Sequence, residues 1–146
     1  MNLQDVIQAT KDLSILFVED EDTTRKYVKS ILKDLFFQVD CSEDGKVALE
    51  RYRDYFTQHS KYYDLVLTDI GLPSMNGLEL SKHILKENPK QKIIVITAFD
   101  KKDKHEELLA LGIDSFLPKP IEFEYFFEIL GKNAKLLESL SKSNHI

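Results

Sequence analysis

The chain has no tryptophan, one cysteine, four prolines and five glycines in 146 residues. With Cys41 alone, no intrachain disulfide and no cysteine-rich metal centre can form. Long apolar runs are missing too, so no bilayer-spanning segment is expected. The opening residues, MNLQDVIQATKDL, are polar and helix-patterned rather than basic and then apolar, so no signal peptide is expected. These absences point to a reducing, cytoplasmic setting without a membrane partner. Basic excess is also lacking. A net charge of -5 argues against direct contact with nucleic acid. The basic cluster Lys101-Lys102-Asp103-Lys104-His105 reads as a solvated helix start. No internal repeat or low-complexity tract occurs.

What is present is the profile of one globular domain: 42% hydrophobic and 31% charged residues. Apolar runs rich in β-branched residues alternate with segments of helical period. The candidate strands are Ile15-Leu16-Phe17-Val18, a weaker one at Gln38-Val39-Asp40-Cys41, then Leu65-Val66-Leu67, Ile93-Ile94-Val95-Ile96 and Ser115-Phe116-Leu117. Their continuous rather than alternating apolar character fits strands covered on both faces, as in a parallel sheet.

Between them, Val28, Ile31, Leu32 and Leu35 define one helical face, and Val47, Ala48, Tyr52 and Tyr55 another. A third helix runs from about Leu78 to Glu87 and is stopped by Asn88-Pro89. A fourth presents Leu108, Leu109 and Leu111 and ends at Gly112. The last starts near Glu122 and shows Phe123, Phe126, Phe127, Leu130, Ala134 and Leu137. Five βα units in this order predict a three-layer, doubly wound α/β domain around a five-stranded parallel sheet. Residues 13–131 form the predicted domain. Residues 1–12 are expected to add a helix with Leu3, Val6, Ile7 and Leu13 on one face. Residues 132–146 are expected to extend the last helix, through Leu137 and Leu140, as a linker toward an output domain or as a frayed tail, with the linker favoured.

In an open parallel sheet, chemistry collects at the carboxyl ends of the strands. Those ends offer Glu19-Asp20-Glu21 after the first strand and Asp69 after the third. Thr97 closes the fourth, and Lys119-Pro120 follows the fifth. Crowded carboxylates repel and raise one another's pKa. A hard divalent cation resolves the conflict, which predicts Mg²⁺ (or Mn²⁺) on Asp20, Asp69 and the backbone carbonyl of Gly71, with Glu19 acting through water. A metal-bound aspartate beside a hydroxyl and an ammonium suits phosphoryl transfer. Asp69 would be the nucleophile, Lys119 would neutralise the transferring oxygens, and Thr97 would donate to one of them. Singly, each residue has an ordinary reading as a helix-cap acid, a strand-end hydroxyl or a surface charge. Their common placement on one sheet edge favours a site.

The stretches ILFVEDED, DLVLTDIGLPSMNGLEL, KIIVITAF and GIDSFLPKP, in this order and spacing, resemble the response-regulator receiver domains of two-component signalling over about residues 14 to 130. The resemblance implies a flavodoxin-like fold of strand order 2-1-3-4-5. It implies Asp69 as phosphoacceptor, Asp20 with Glu19 as the metal-binding acids, Thr97 as the switch hydroxyl, Lys119 as the family's lysine and Pro120 on a cis peptide. Phe116 takes the aromatic switch position, where the family often has Tyr. The implied phosphodonor is a sensor histidine kinase, a phosphotransfer protein or a small acyl phosphate. On phosphorylation, Thr97 is expected to move toward the phosphoryl group and Phe116 to fill the space. The face made by the fourth helix of the sheet, the fifth strand and the last helix would then repack for a second copy or an output partner. Gly71 and Phe99 flank the site with opposite expected effects on water access, which leaves the phosphoryl lifetime open.

The competing chemistry is a phosphohydrolase of the haloacid-dehalogenase type. It would need a second acid two residues after Asp69, where Gly71 stands. A flavodoxin-like binding module would need a phosphate loop after the first strand, and EDEDTT would repel phosphate. A receiver that serves only as an interaction module is disfavoured because every chemical position is filled. His59, His83, His105 and His145 show no ligand spacing, and His83 and His105 read as helix-surface residues.

Overall fold

The computed structural model describes residues 1–98 and 102–143. In chain order it has α1 (Leu3–Thr10), β1 (Ser14–Val18), α2 (Asp22–Leu35), β2 (Gln38–Ser42) and α3 (Gly45–His59). β3 (Leu65–Asp69), α4 (Gly77–Glu87), β4 (Lys92–Thr97), α5 (Lys102–Ala110), β5 (Ser115–Pro118) and α6 (Phe123–Ser143) follow. The strands pair in parallel in the order β2-β1-β3-β4-β5. The doubly wound α/β expectation and its implied strand order both hold.

Alternation along each strand divides the core in two. Leu16, Val18, Val66, Ile93 and Val95 face α3, α4 and α5, where Tyr52, Leu80, Ile84 and Leu108 meet them. Ile15, Phe17, Leu65, Leu67, Ile94 and Ile96 face α2 and α6 and pack on Val28, Leu32, Phe126 and Leu130. Every residue of β1 and β3 is buried, which is why these strands read as unbroken apolar runs.

Local chemistry sets the helix ends. Glu21, Asp44 and Asn76 cap α2, α3 and α4 with side-chain oxygens that accept first-turn amides. α4 stops at Asn88, whose extended φ of -138° suits a residue before proline. After α5, Gly112 takes φ 91°; its amide donates to the Leu109 carbonyl and that of Ile113 to Leu108. This is a Schellman ending, which glycine permits.

Three predicted apolar faces are narrower than expected. Val47 is 42% exposed, while Ala48, Tyr52 and Tyr55 turn inward. Leu109 is 48% exposed beside a fully buried Leu108, and Leu111 lies in the turn beyond α5. In α1, Leu3 is 51% exposed, while Val6 and Thr10 are buried; Ile7, and Leu13 just past the helix, pack partly buried on the core. The Thr10 hydroxyl lies 2.8 Å from the Val6 carbonyl and 2.9 Å from that of Leu35, which ties α1 to the end of α2. α1 also lies on α6 at Gly131. A Cβ there would sit 2.2 Å from Met1 Sδ and 3.3 Å from Val6 Cγ2. The Met1 thioether can swing aside, so the buried Val6 is what crowds a side chain there. Among the described residues, no helix is long and apolar enough to cross a membrane.

Candidate functional site

Parallel strands joined by helical crossovers bring all strand exits to one edge. The β1 exit places Glu19, 1% exposed, beside the exposed Asp20. Asp69, the last residue of β3, is 3% exposed. Carboxylate oxygens of Glu19, Asp20 and Asp69 all lie within 4.8 Å of one another. Lys119, just past β5, donates from Nζ to Oδ2 of Asp69, while the Gly71 amide donates to Oδ1 at 3.0 Å. The remaining frame is backbone. The Lys119 amide donates to the Thr97 carbonyl at 3.0 Å, and the Ile70 amide to Ile96 at 3.1 Å. Gly77 lets the chain fold back under Asp69, since a Cβ would meet the Asp69 carbonyl oxygen at 2.3 Å.

This crowding has an electrostatic consequence. Burial pushes the Glu19 carboxyl up to about 7, helped by its hydrogen bond to Asp69 and by that residue's charge, with Lys119 partly offsetting. At Lys119, burial works against the ammonium. Its bond to Asp69 and the charges of Asp69, Glu19 and Asp20 outweigh that and raise its pKa. Three convergent carboxylates and no soft donor fit a hard divalent cation, which would offset their mutual repulsion.

Thr97 is 9% exposed, and its hydroxyl donates to the Ala98 carbonyl at 3.0 Å. Val95 is the register partner of Phe116 and lies two residues before Thr97. Thr97 and Phe116 therefore project from the same face of the sheet. The half-buried Phe116 ring lies 4.0 Å from the ring of exposed His105, at 30°. The Lys119–Pro120 peptide is cis. Phe99, the expected brake on water access, lies outside the described residues, as do Lys101 and His145.

One member of this edge escaped the sequence reading. Arg25, a turn into α2, donates from Nη1 to the carbonyls of Glu19 at 3.1 Å and Asp20 at 3.4 Å. Its Nη2 lies 2.6 Å from Asp22 and 3.7 Å from Glu43. The side chain holds the backbone of both acids. The available signal is Arg25-Lys26, a basic pair one turn into a helix that opens on acids.

Comparison with known proteins agrees with this geometry. The model of the response regulator receiver domain family matches residues 15–130. Response regulator ArlR of Staphylococcus saprophyticus is 34% identical over 134 residues, 90% of this chain and 56% of that protein. A cyclic di-GMP phosphodiesterase of Thermotoga maritima is 33% identical over 77% of this chain and 28% of its own length. The chain thus spans about half, or less, of these relatives. Among solved structures, the N-terminal domain of an uncharacterized protein from Wolinella succinogenes superposes with a TM-score of 0.75 at 32% identity, covering 89% of this chain and 98% of that one. A receiver domain protein from Clostridium thermocellum shares the fold, with a TM-score of 0.76 at 22% identity over 88% and 98% of the two chains. On the extent of the family match and the curated relatives, this chain belongs to the response regulator receiver domains of two-component systems.

Proposed function

We propose that Asp69 accepts a phosphoryl group and that Thr97 and Phe116 relay the event to the face formed by α5, β5 and α6. The observation that carries this reading is the setting of Asp69. One carboxylate oxygen is paired with the Lys119 ammonium, the other is held by the Gly71 amide, and two more acids stand alongside.

Glu19, Asp20, Asp69 and the Gly71 carbonyl are the groups that would hold Mg²⁺ or Mn²⁺, with Glu19 reaching it through water. Bound there, the cation would supply charge neutralisation for the acids and the transferring group. The Asp69 carboxylate attacks the phosphorus of a phosphohistidine on a sensor kinase or phosphotransfer protein. The new P–O bond forms as the P–N bond breaks, and the imidazole keeps that electron pair. Lys119 steadies the phosphoryl oxygens, and the Thr97 hydroxyl turns from the Ala98 carbonyl to donate to one of them. Phe116 then moves inward, away from His105. Attack of water on the same phosphorus later restores Asp69, so the domain resets itself rather than turning over an external substrate. Gly71 stands where a haloacid-dehalogenase-type hydrolase keeps the acid that protonates a phosphoester leaving group.

The end of α6 would lead on toward an output domain, and the α5–β5–α6 face would meet a second copy or an effector. The test is mass spectrometry after treatment with a small acyl phosphate and Mg²⁺. One phosphoryl adduct is expected on the wild type and none on Asp69→Asn. Steady phosphate release from varied phosphoesters would overturn the reading.

A further inference from the structure

The loop from Asp69 to α4 is tied to a part of the molecule the chemistry does not use, the turn between β2 and α3. Asp44 in that turn has two sets of partners. Its Oδ1 accepts the Lys46 and Val47 amides at 2.7 and 3.2 Å, capping α3. Its Oδ2 accepts the hydroxyl of Ser74, 30 residues away, at 2.7 Å. The Ser74 bond is also the main reason the Asp44 carboxyl is held below its ordinary pKa.

Ser74 has φ 64°, the left-handed region that non-glycine residues avoid, so this bond holds a turn the backbone would not choose unaided. The next residue presses on the same place. A Cβ on Gly45 would lie 1.8 Å from the Met75 carbonyl oxygen. On its other side, the β2–α3 turn meets the acid pair. The Ser42 carbonyl accepts the Glu19 amide at 3.0 Å, and the Ser42 hydroxyl donates to the Asp44 carbonyl at 3.0 Å. The turn is therefore hydrogen-bonded both to the segment bearing Glu19 and Asp20 and to the loop bearing Gly71.

We propose that Asp44 and Ser74 are positioning residues. Their hydrogen bond sets the β3–α4 loop, and with it the Gly71 carbonyl, at the spacing from the acid pair that a divalent cation demands. The proposal rests on the reading of the Asp69 site given above. Mg²⁺ requires near-ideal octahedral geometry, so its affinity is sensitive to a loop that drifts by a fraction of an ångström. Neither residue touches the reacting atoms; both act through the loop.

The test uses Ser74→Ala, Ser74→Gly and Asp44→Ser in the whole chain. Glycine suits the left-handed backbone, and serine keeps the α3 cap but is too short to reach residue 74. In metal-free protein, exchange of the Gly77 amide, which closes the loop on the Ile70 carbonyl at 2.9 Å, is expected to quicken in all three. Calorimetric Mg²⁺ affinity is expected to fall about tenfold, the loss of one charge-assisted hydrogen bond. The double variant Asp44→Ser/Ser74→Ala should bind no more weakly than either single variant. Wild-type Mg²⁺ affinity and Gly77 exchange in Ser74→Ala would overturn the proposal while leaving the site reading intact, as would additive losses in the double variant. A wild type that binds no Mg²⁺ would overturn both.

Discussion

Lys119 and Asp69, 50 residues apart in the chain, are joined by an ammonium–carboxylate bond at the edge where β3 and β5 end. The carboxylate side is almost fully enclosed, and the lysine side reaches solvent. The pair thus places a cation at the point where an incoming phosphoryl group would spread its charge. Removing that cation with Lys119→Met is expected to slow adduct formation on Asp69 by about 100-fold or more, the scale for losing one preorganised charge stabiliser. Lys119→Arg should not restore the rate, because a planar guanidinium does not reproduce a compact ammonium. Stopped-time mass spectrometry reads both.

Glu19 gives a pH dependence whose sign is unusual for a carboxyl. In the folded, metal-free chain it keeps its proton up to about 7, against an ordinary value of 4.5. The folded state therefore binds more protons than the unfolded one between those values. The associated stability is present below about pH 4.5 and is lost as pH rises toward 7. Urea midpoints of the metal-free protein should fall over that window, and Glu19→Gln should flatten the trend. Mg²⁺ binding near pH 6 should release a proton in the wild type and none in Glu19→Gln, measured by calorimetry in two buffers. Midpoints that climb from pH 4.5 to 7 and stay pH-dependent in Glu19→Gln would contradict this.

The ring of His105 is a built-in reporter for Phe116, lying 4.0 Å from it. Moving the phenyl ring inward would remove its ring-current field from the imidazole. Phosphorylated wild type should show shifted His105 ring protons by NMR. Thr97→Ala should gain the phosphoryl group more slowly and leave those protons where they were. A shift that persists in Thr97→Ala would break the proposed coupling of hydroxyl to ring.

Packing of α1 on α6 predicts a stability effect remote from the acids. Val6 is 1% exposed within the core shared by α2 and α6. Val6→Ala is expected to cost about 2 kcal/mol in urea unfolding. Leu3→Ala, at a residue 51% exposed, should cost little.

These contrasts mark where sequence pattern is informative. Strands buried on both faces announce themselves as apolar runs, and the parallel order then delivers Glu19, Asp20, Asp69, Thr97 and Lys119 to one edge. Helical period predicts a direction but not how far the covering elements reach, so Val47 and Leu109 look like core and are left about half exposed. Gly131 lies against Met1 and Val6 of the N-terminal segment, neighbours too remote in the chain for helical period to reveal. Arg25 and the Asp44–Ser74 bond act on backbone carbonyls and a distant hydroxyl, targets that no local spacing encodes.

The most direct measurement is peptide-level mapping of the phosphoryl adduct by mass spectrometry, with a small acyl phosphate, in the presence and absence of Mg²⁺. The expected result is a single, Mg²⁺-dependent modification on Asp69, absent from Asp69→Asn. An adduct on another residue, or one that forms equally well without the metal, would contradict the assignment of Asp69 as the acceptor.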